Sequence, residues 1–276
     1  MYKRLKLDQF GPWALVTGAS SGLGKEFAHQ LAQQGFNLVL VARRQALLQK
    51  LSQTLIEKYG IETLVIKVDL SDPNEVDHLI HSTKHLEVGL LVSNAGSGHP
   101  GEFIHKQEDD LLKMINTSVI AHLKLVHHFS PHMARKRKGG ILLVSAMGAS
   151  HGLPFMSNDA GTRGYINSLG LGLHEELKRY GVYLTVMITS PTKTPIVSHL
   201  GFNENKMPAP PLSTAQAVTE TLTALRKNKS TIIPGRLYRI MNAIVPSSIS
   251  RRMFGKMLAE GNNIKYHNPE YEMING

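Results

Sequence analysis

The chain of 276 residues has 42% hydrophobic residues, a formal net charge of +10 and no cysteine. The hydrophobic share supports a packed core and excludes a largely disordered protein, while the missing cysteine excludes disulfide frameworks and thiolate chemistry. No segment approaches the ~18 consecutive apolar residues of a transmembrane helix, so we expect a cytoplasmic protein, soluble or at most peripheral to a membrane.

Strand patterns alternate with helical patterns from Trp13 onward. Helical runs extend from about Lys25 to Gln34 and from Ala46 to Tyr59. Continuous apolar strands separated by helices are typical of a parallel sheet covered on both faces. We therefore predict a doubly wound, Rossmann-type α/β sheet of about seven strands in a single domain spanning residues 1–276. The predicted strands are Trp13–Thr17, Asn37–Ala42, Thr63–Asp69, Gly89–Ser93, Ile141–Ser145, Val182–Ile188 and Ser230–Ile233.

The pattern also divides this domain into regions. Residues 1–12 form an N-terminal extension and residues 13–194 form the predicted cofactor-binding core. The alternation of strand and helix patterns stops in the segment 195–213, which ends near Met207-Pro-Ala-Pro-Pro211. We therefore predict an irregular lid loop over the substrate. Ser213 is the predicted cap of a helix to about Arg226, and residues 234–276 form a C-terminal extension.

A glycine-rich turn, Thr17-Gly-Ala-Ser-Ser-Gly-Leu-Gly24, follows the first predicted strand and opens the first helix. Glycines at these places let the backbone turn sharply and approach a pyrophosphate at the helix N-terminus. The alternative is a tight strand-to-helix turn without a ligand. The residues predicted to bind the cofactor phosphates are Gly18, Ser20, Ser21, Gly22, Leu23 and Gly24.

The second predicted strand ends in Ala42-Arg43-Arg44. An acidic residue at this place would accept hydrogen bonds from a free adenine ribose. The guanidinium groups of Arg43 and Arg44 suit a 2′-phosphate instead, because guanidinium binds phosphate bidentately. The sequence therefore predicts NADP(H) rather than NAD(H), with two solvated arginines as the alternative.

Over roughly residues 10 to 235 the chain resembles the short-chain dehydrogenase/reductase family. The motifs that carry the resemblance are TGASSGLG, Asp69-Leu70 at the end of the third strand and Asn94-Ala95-Gly96 after the fourth. The resemblance leans toward the steroid, retinoid and ketoacyl reductases, which act on lipophilic substrates. It implies that Asp69 and Leu70 contact adenine, that Asn94, Ala95 and Gly96 line the floor of the cofactor site, and that Thr194 contacts the carboxamide.

The family's catalytic set of asparagine, serine, tyrosine and lysine is only partly present. The setting Met114-Ile-Asn116-Thr retains the asparagine, but the serine position falls on Ala146. Asp159 stands at the tyrosine position and Arg163 at the lysine position, where the family's lysine also holds ribose. Because Arg163 lies one helical turn from Asp159, we expect an ionised Asp159 that donates protons poorly but can act as a general base.

Asn116, Asp159 and Arg163 are the candidate catalytic residues. The leading hypothesis is an NADP(H)-dependent oxidoreductase acting on a small lipophilic substrate or an activated carbonyl or iminium group. Two alternatives stay open: a cofactor-binding pseudoenzyme, and a non-redox isomerase or cyclase that uses Asp159 as a base. Without tyrosine and lysine, we expect the reduction of ordinary ketones to be slow or undetectable.

Partners beyond a small-molecule substrate are indicated less directly. The resemblance implies a dimer or tetramer formed through the helices at about 109–135 and 159–180. The cluster Arg135-Lys-Arg-Lys138 is typical of a solvated helix end, so no nucleic-acid binding is predicted, and no HExxH motif predicts a metal site. From Arg236 to Leu258, apolar residues recur at helical spacing with basic residues beside them, which is typical either of a helix on a membrane surface or of one packed on the substrate pocket.

Overall fold

Residues 4–150, 152–203 and 207–265 are described in the computed structural model. Their strands form a seven-stranded parallel sheet in the order β3-β2-β1-β4-β5-β6-β7, which confirms the predicted doubly wound α/β class. The strand order reverses between β1 and β4, the place where such sheets open a crevice for a ligand. The strands are β1 Trp13–Thr17, β2 Asn37–Ala42, β3 Thr63–Lys67, β4 Val88–Ser93, β5 Gly140–Ala146, β6 Tyr183–Thr189 and β7 Thr231–Ile232.

Helices cover both faces of this sheet. Because successive strand residues point to opposite faces, Val16 packs in one apolar cluster and its neighbour Leu15 in the other. One cluster joins the sheet to α2, α3 and α9, and the other joins it to α4, α6 and α7. The helices are α1 Leu7–Phe10, α2 Gly22–Ala32, α3 Gln45–Tyr59, α4 Pro73–Ser82, α5 Glu108–Ile115, α6 Ala121–Lys136, α7 Ser157–Lys178, α8 Pro195–His199, α9 Thr214–Arg226, α10 Arg236–Ile244 and α11 Ser247–Gly261.

Two predicted boundaries are corrected at the site. Helix α2 begins at Gly22 rather than near Lys25, since the loop ends at Ser21, whose backbone is still extended. Strand β3 ends at Lys67 and does not reach Asp69, because the Asp69 amide donates to Glu75 Oε2 at 2.6 Å instead of to a neighbouring strand. Both corrections bring more turn backbone to the edge where a ligand would bind.

The predicted lid loop is partly helical. Residues Pro195–His199 form α8, for which a proline at the first helical position is well suited, so the prediction of an irregular segment is wrong there. The ends of the loop are held together, because Lys193 N donates to Leu212 O at 2.8 Å and Leu212 N donates to Pro191 O at 2.9 Å.

The C-terminal extension packs on this lid. Asn262 Nδ2 at the end of α11 donates to Leu200 O at 3.0 Å, and the Phe202 and Phe254 rings meet edge to face with centroids 6.3 Å apart. Parts of four predicted regions lie outside the described residues: 1–3 of the N-terminal extension, 151 of the core, 204–206 of the lid and 266–276 of the C-terminal extension.

Candidate active site

A cleft of about 480 Å³ opens at the carboxyl ends of the strands, where the strand order reverses. It gathers residues from the phosphate loop, the turns after β2, β3 and β4, the start of α7 and the lid. Of the predicted site residues, those that line the cleft are Gly18, Ser20, Ser21, Gly22, Leu23, Arg43, Arg44, Asp69, Leu70, Asn94, Ala95, Gly96, Asp159, Arg163 and Thr194.

The phosphate loop depends on backbone positions that only glycine fills well. Gly18 and Gly22 have φ angles of +67° and +54°, which side chains with a Cβ rarely adopt. At Gly24 a Cβ would collide with the Gly18 carbonyl. The loop is therefore a cradle of exposed backbone at the N-terminus of α2, and its size and polarity fit a pyrophosphate.

Arg44 lies across this loop. Its guanidinium donates to Ser20 Oγ at 2.9 Å and to Ser21 Oγ at 2.7 Å, while Arg43 also lines the cleft. The two arginines after β2 and the two hydroxyl groups of the phosphate loop together form a donor set that suits a phosphate on the adenine ribose. The sequence alone did not indicate which of the two arginines contacts the loop.

The floor of the cleft is fixed by Thr17, a residue that sequence reasoning did not select. Thr17 Oγ1 accepts hydrogen bonds from Asn94 N at 2.9 Å and Ala95 N at 3.0 Å, and Asn94 Nδ2 donates to Thr17 O at 2.9 Å. These bonds tie the ends of β1 and β4 together. On the adenine side, Asp69 Oδ1 accepts from Ser71 N and Ser71 Oγ, which orients the carboxylate at the cleft wall.

Asp159 and Arg163 meet at the inner end of the cleft. Arg163 is buried, its Nη1 donates to Val144 O at 3.1 Å, and its guanidinium packs so closely on Gly96 that a Cβ there would have no room. The Arg163 Nε lies 3.7 Å from Asp159 Oδ1, which is longer than an N–H···O hydrogen bond. Among the described residues no group donates a hydrogen bond to Asp159 Oδ1.

This environment corrects the expected ionisation of Asp159. Burial raises the pKa of its carboxyl above the ordinary value of 3.8, and the opposing charge of Arg163 does not cancel that effect. The desolvation penalty wins because the partner is at ion-pair distance rather than in a short hydrogen bond. The expectation that Arg163 lowers the pKa of Asp159 is thus wrong in direction, and the carboxyl retains its proton more readily than an exposed one.

The serine and asparagine positions of the family's catalytic set differ in where they lie relative to the cleft. Ala146 and the adjacent Ser145 both line the cleft, but the Ser145 hydroxyl is used within the protein, where it donates to Arg163 O of α7 at 3.1 Å. Asn116 begins a π-helical turn over 116–120, and its Nδ2 donates to Ser71 O at 3.1 Å. Its side chain therefore braces the turn after β3 and does not line the cleft.

His122 is a buried group next to the site that the sequence did not single out. Its Nε2 lies 2.9 Å from Ala95 O, beside the cleft floor. Burial lowers the pKa of His122 to about 4, and the Arg163 charge contributes in the same direction. His122 is neutral at physiological pH. Within the described residues no cluster of three or more His, Asp or Glu side chains is arranged to hold a metal ion.

The outer part of the cleft is apolar. It is lined by side chains from the segment before α7, from α8 and the lid, and from α11, so residues distant in sequence form one wall. The lid was predicted to face a substrate, and packing of the C-terminal helix on the pocket was one of the two interpretations of its apolar spacing. The apolar wall consists of Leu153, Met156, Ile196, Val197, Leu200, Phe202, Met207 and Phe254.

Comparison with known proteins places these features in a family. A very-long-chain 3-oxoacyl-CoA reductase from Podospora anserina is 35% identical over 189 residues, which are 67% of this chain and 56% of that protein. A structure of a 7β-hydroxysteroid dehydrogenase, 26% identical, has a TM-score of 0.81 and covers 90% of this chain and 98% of its own. A short-chain dehydrogenase from Sphingobium yanoikuyae in complex with NADPH, 23% identical, has a TM-score of 0.77 with 94% and 97% coverage and shows the likeness of fold alone.

These relatives confirm the predicted resemblance to the steroid and ketoacyl reductase branch. The chain spans only about half the length of the first curated relatives that it matches, between 51% and 61% of each. The model of the short chain dehydrogenase family matches residues 12–205, which include the whole phosphate loop and the altered catalytic positions. This chain belongs to the short chain dehydrogenase family.

Proposed function

We propose that the chain is an NADP(H)-dependent oxidoreductase that acts on a lipophilic substrate carrying an activated carbonyl or iminium group. The observation that carries the proposal is the Asp159 carboxyl, which lies in the cleft with a raised pKa and an oxygen free of hydrogen bonds from the described residues. A carboxyl in that state is able to hold a proton for the substrate, in the place of the family's tyrosine.

The cofactor would be held by the residues at the carboxyl ends of β1 to β4. The loop from Gly18 to Gly24 would bind the pyrophosphate, Arg43 and Arg44 the 2′-phosphate, and Asp69 the adenine. When bound, NADP(H) supplies or accepts a hydride. The Arg44 contact with Ser20 and Ser21 supports NADP(H) over NAD(H), because it places a cation where a carboxylate would select a free ribose.

The substrate would lie against the apolar wall. Side chains such as Leu200, Phe202 and Phe254 exclude water and favour a lipophilic molecule through the burial of apolar surface. The names of the relatives, a very-long-chain 3-oxoacyl-CoA reductase and a 7β-hydroxysteroid dehydrogenase, agree with this class of substrate.

At the reacting end, Asp159 would donate its proton to the oxygen of a carbonyl substrate as negative charge develops there, whereas an iminium becomes a neutral amine on accepting hydride and takes no proton. The carboxylate that remains lies 3.7 Å from the Arg163 guanidinium, whose charge stabilises it. Arg163 itself donates to Val144 O and packs on Gly96, and these contacts position its guanidinium beside Asp159. Asp159 lacks the help that the family's serine and lysine give to the tyrosine. We therefore expect an activated substrate, since general acid catalysis contributes about 10²- to 10⁴-fold and is weakened here.

The same carboxyl also favours a second function. A carboxylate oxygen without a hydrogen-bonding partner, with a raised pKa, can abstract a proton, so Asp159 suits an isomerisation or cyclisation without net redox change. The two functions can be distinguished by NADPH consumption, because only the oxidoreductase consumes NADPH. A pseudoenzyme would bind NADPH and transform nothing.

Absorbance loss of NADPH over a substrate panel tests the proposal. The panel holds an unactivated ketone, a 1,2-diketone, a cyclic iminium and a 3-oxoacyl thioester, each run also with NADH. We expect consumption with at least one activated acceptor, and little or none with the unactivated ketone. NADPH binding by calorimetry without consumption on any acceptor would support the pseudoenzyme, and a rearranged product without NADPH loss would support the isomerase.

The triple variant Ala146→Ser, Asp159→Tyr, Arg163→Lys provides a matched comparison, since it rebuilds the family's residues at these three positions. We expect it to gain reduction of the unactivated ketone. Its circular dichroism spectrum and NADPH affinity, compared with those of the wild type, show whether the variant is folded.

A further inference from the structure

Helix α10 turns its apolar stripe toward solvent. Leu237, Ile240 and Ile244 recur at helical spacing and are 51%, 45% and 71% exposed. The opposite side of the helix is anchored, because the buried Tyr238 donates its hydroxyl to Ala209 O at 2.8 Å. The outward direction of the stripe is therefore fixed by packing, which is the reverse of an ordinary surface helix.

Helix α11 continues this surface after Val245 and Pro246. Ile249, Arg252 and Lys256 lie on one face of the helix and are exposed. The other side is covered, since Leu258 is buried and Phe254 packs on Phe202 of the lid. The sequence pattern of the C-terminal extension is compatible with packing on the pocket and with an exposed apolar face. Both occur in its described part, since α11 packs on the cleft and α10 leaves an apolar face exposed.

The charged residues of this region are predominantly basic. The chain contains eight Lys and Arg residues and no Asp or Glu between Glu220 and Glu260. Arg239 is directed inward and pairs with Glu220 at 2.7 Å, whereas Arg236, Arg252 and Lys256 are exposed. A second copy of the chain would bring like charges together on this face, while an anionic surface would neutralise them.

We propose that α10 and α11 form a membrane-docking face that binds the surface of an anionic phospholipid bilayer. Leu237, Ile240 and Ile244 would insert at the boundary between headgroups and acyl chains, and the exposed cations would contact lipid phosphates and carboxylates. Because Phe254 of α11 lines the cleft, docking places the apolar wall of the cleft next to the membrane. No helix among the described residues is both long and apolar enough to cross a bilayer.

Vesicle sedimentation of the full chain tests this proposal. Phosphatidylcholine vesicles are compared with phosphatidylcholine–phosphatidylserine vesicles at low and at high salt. We expect binding to the anionic vesicles only, weakened by salt because the headgroup contacts are screened. The variant Ile240→Glu, Ile244→Glu should bind about 100-fold more weakly, since each of the two isoleucines that no longer enters the interface costs roughly tenfold.

The matched control is Leu47→Glu, Ile56→Glu on α3, whose side chains are 43% and 45% exposed. We expect this control to bind like the wild type, and thermal unfolding checks that both variants are folded. Three results would each overturn the proposal: no binding to anionic vesicles, equal loss in both variants, or a dimer by light scattering that Ile244→Glu dissociates while vesicles are not bound.

Discussion

Asp159 illustrates how burial and charge compete at a single residue. The Arg163 guanidinium one turn away favours the carboxylate, but the carboxyl is nearly enclosed and its pKa is raised. The sequence indicates that Asp159 and Arg163 are neighbours but not that Asp159 is enclosed, because the cleft in which it lies is also lined by β5, the turn after β4 and the lid. Spacing along one helix therefore predicted the contact correctly and the direction of the pKa shift wrongly.

A stability measurement follows from this shift. Above the raised pKa, the folded wild type carries a buried carboxylate, whereas Asp159→Asn stays neutral. A carboxyl whose pKa is raised in the folded state stabilises the wild type at low pH, and this stabilisation is lost as the pH rises through that pKa. The unfolding free energy of Asp159→Asn relative to that of the wild type should therefore increase from acid to neutral pH. Urea unfolding at several pH values checks this, with the exposed Asp109→Asn as control. A difference that decreases with pH would show that Arg163 dominates.

His122 has the opposite dependence. Its pKa is lowered to about 4 in the folded protein, so between pH 6.5 and about 4 only the unfolded chain binds the proton. The wild type should lose up to about 3 kcal/mol of unfolding free energy over that range from this group. His122→Gln should remove this part of the loss in urea unfolding, while the exposed His85→Gln should not. Parallel curves for all three proteins would contradict the assignment.

At the scale of elements, the phosphate loop and the turn after β2 meet through Arg44. The glycine pattern of the loop could be predicted because its cause is local: Gly18 and Gly22 adopt positive φ angles whatever surrounds them. The orientation of α10 could not, since the spacing of Leu237 to Ile244 marks an apolar stripe and not the direction in which it faces. The anchoring of Tyr238 on the lid decides that direction.

Charge reversal in the turn after β2 tests the cofactor preference. Arg43→Asp and Arg44→Asp should each weaken NADPH binding by about 2 kcal/mol, roughly 30-fold, because charge-assisted phosphate contacts are lost and replaced by repulsion. The affinity for NADH should change little. Calorimetry provides the values, with Lys50→Asp on the outside of α3 as control. Equal affinities of the wild type for NADH and NADPH would contradict the preference.

At the scale of the whole molecule, the helices α5, α6 and α7 leave apolar residues exposed. Leu112, Leu123, Tyr165 and Leu171 are exposed on them, and these are the helices through which the family resemblance implies association. The cleft lies elsewhere, at the carboxyl edge of the sheet, so association through these helices would leave it open.

We predict a dimer or tetramer at micromolar concentration. Leu171→Glu should reduce the assembly state, because a carboxylate buried in an interface is costly to desolvate. Light scattering gives the mass, and Leu47→Glu on α3 is the control that should keep the wild-type state. A monomeric wild type would refute the prediction.

The cleft joins a phosphate-binding end to an apolar end, and Asp159 stands between them. The most direct test of its role is the pH dependence of NADPH consumption with an activated ketone, measured for the wild type and for Asp159→Asn with NADPH affinity determined in parallel. We predict that the wild-type rate falls as pH rises through the pKa of Asp159, and that Asp159→Asn loses at least about 100-fold in rate with nearly unchanged NADPH affinity. A variant that keeps the wild-type rate and pH profile would contradict the account, because another group would then supply the proton.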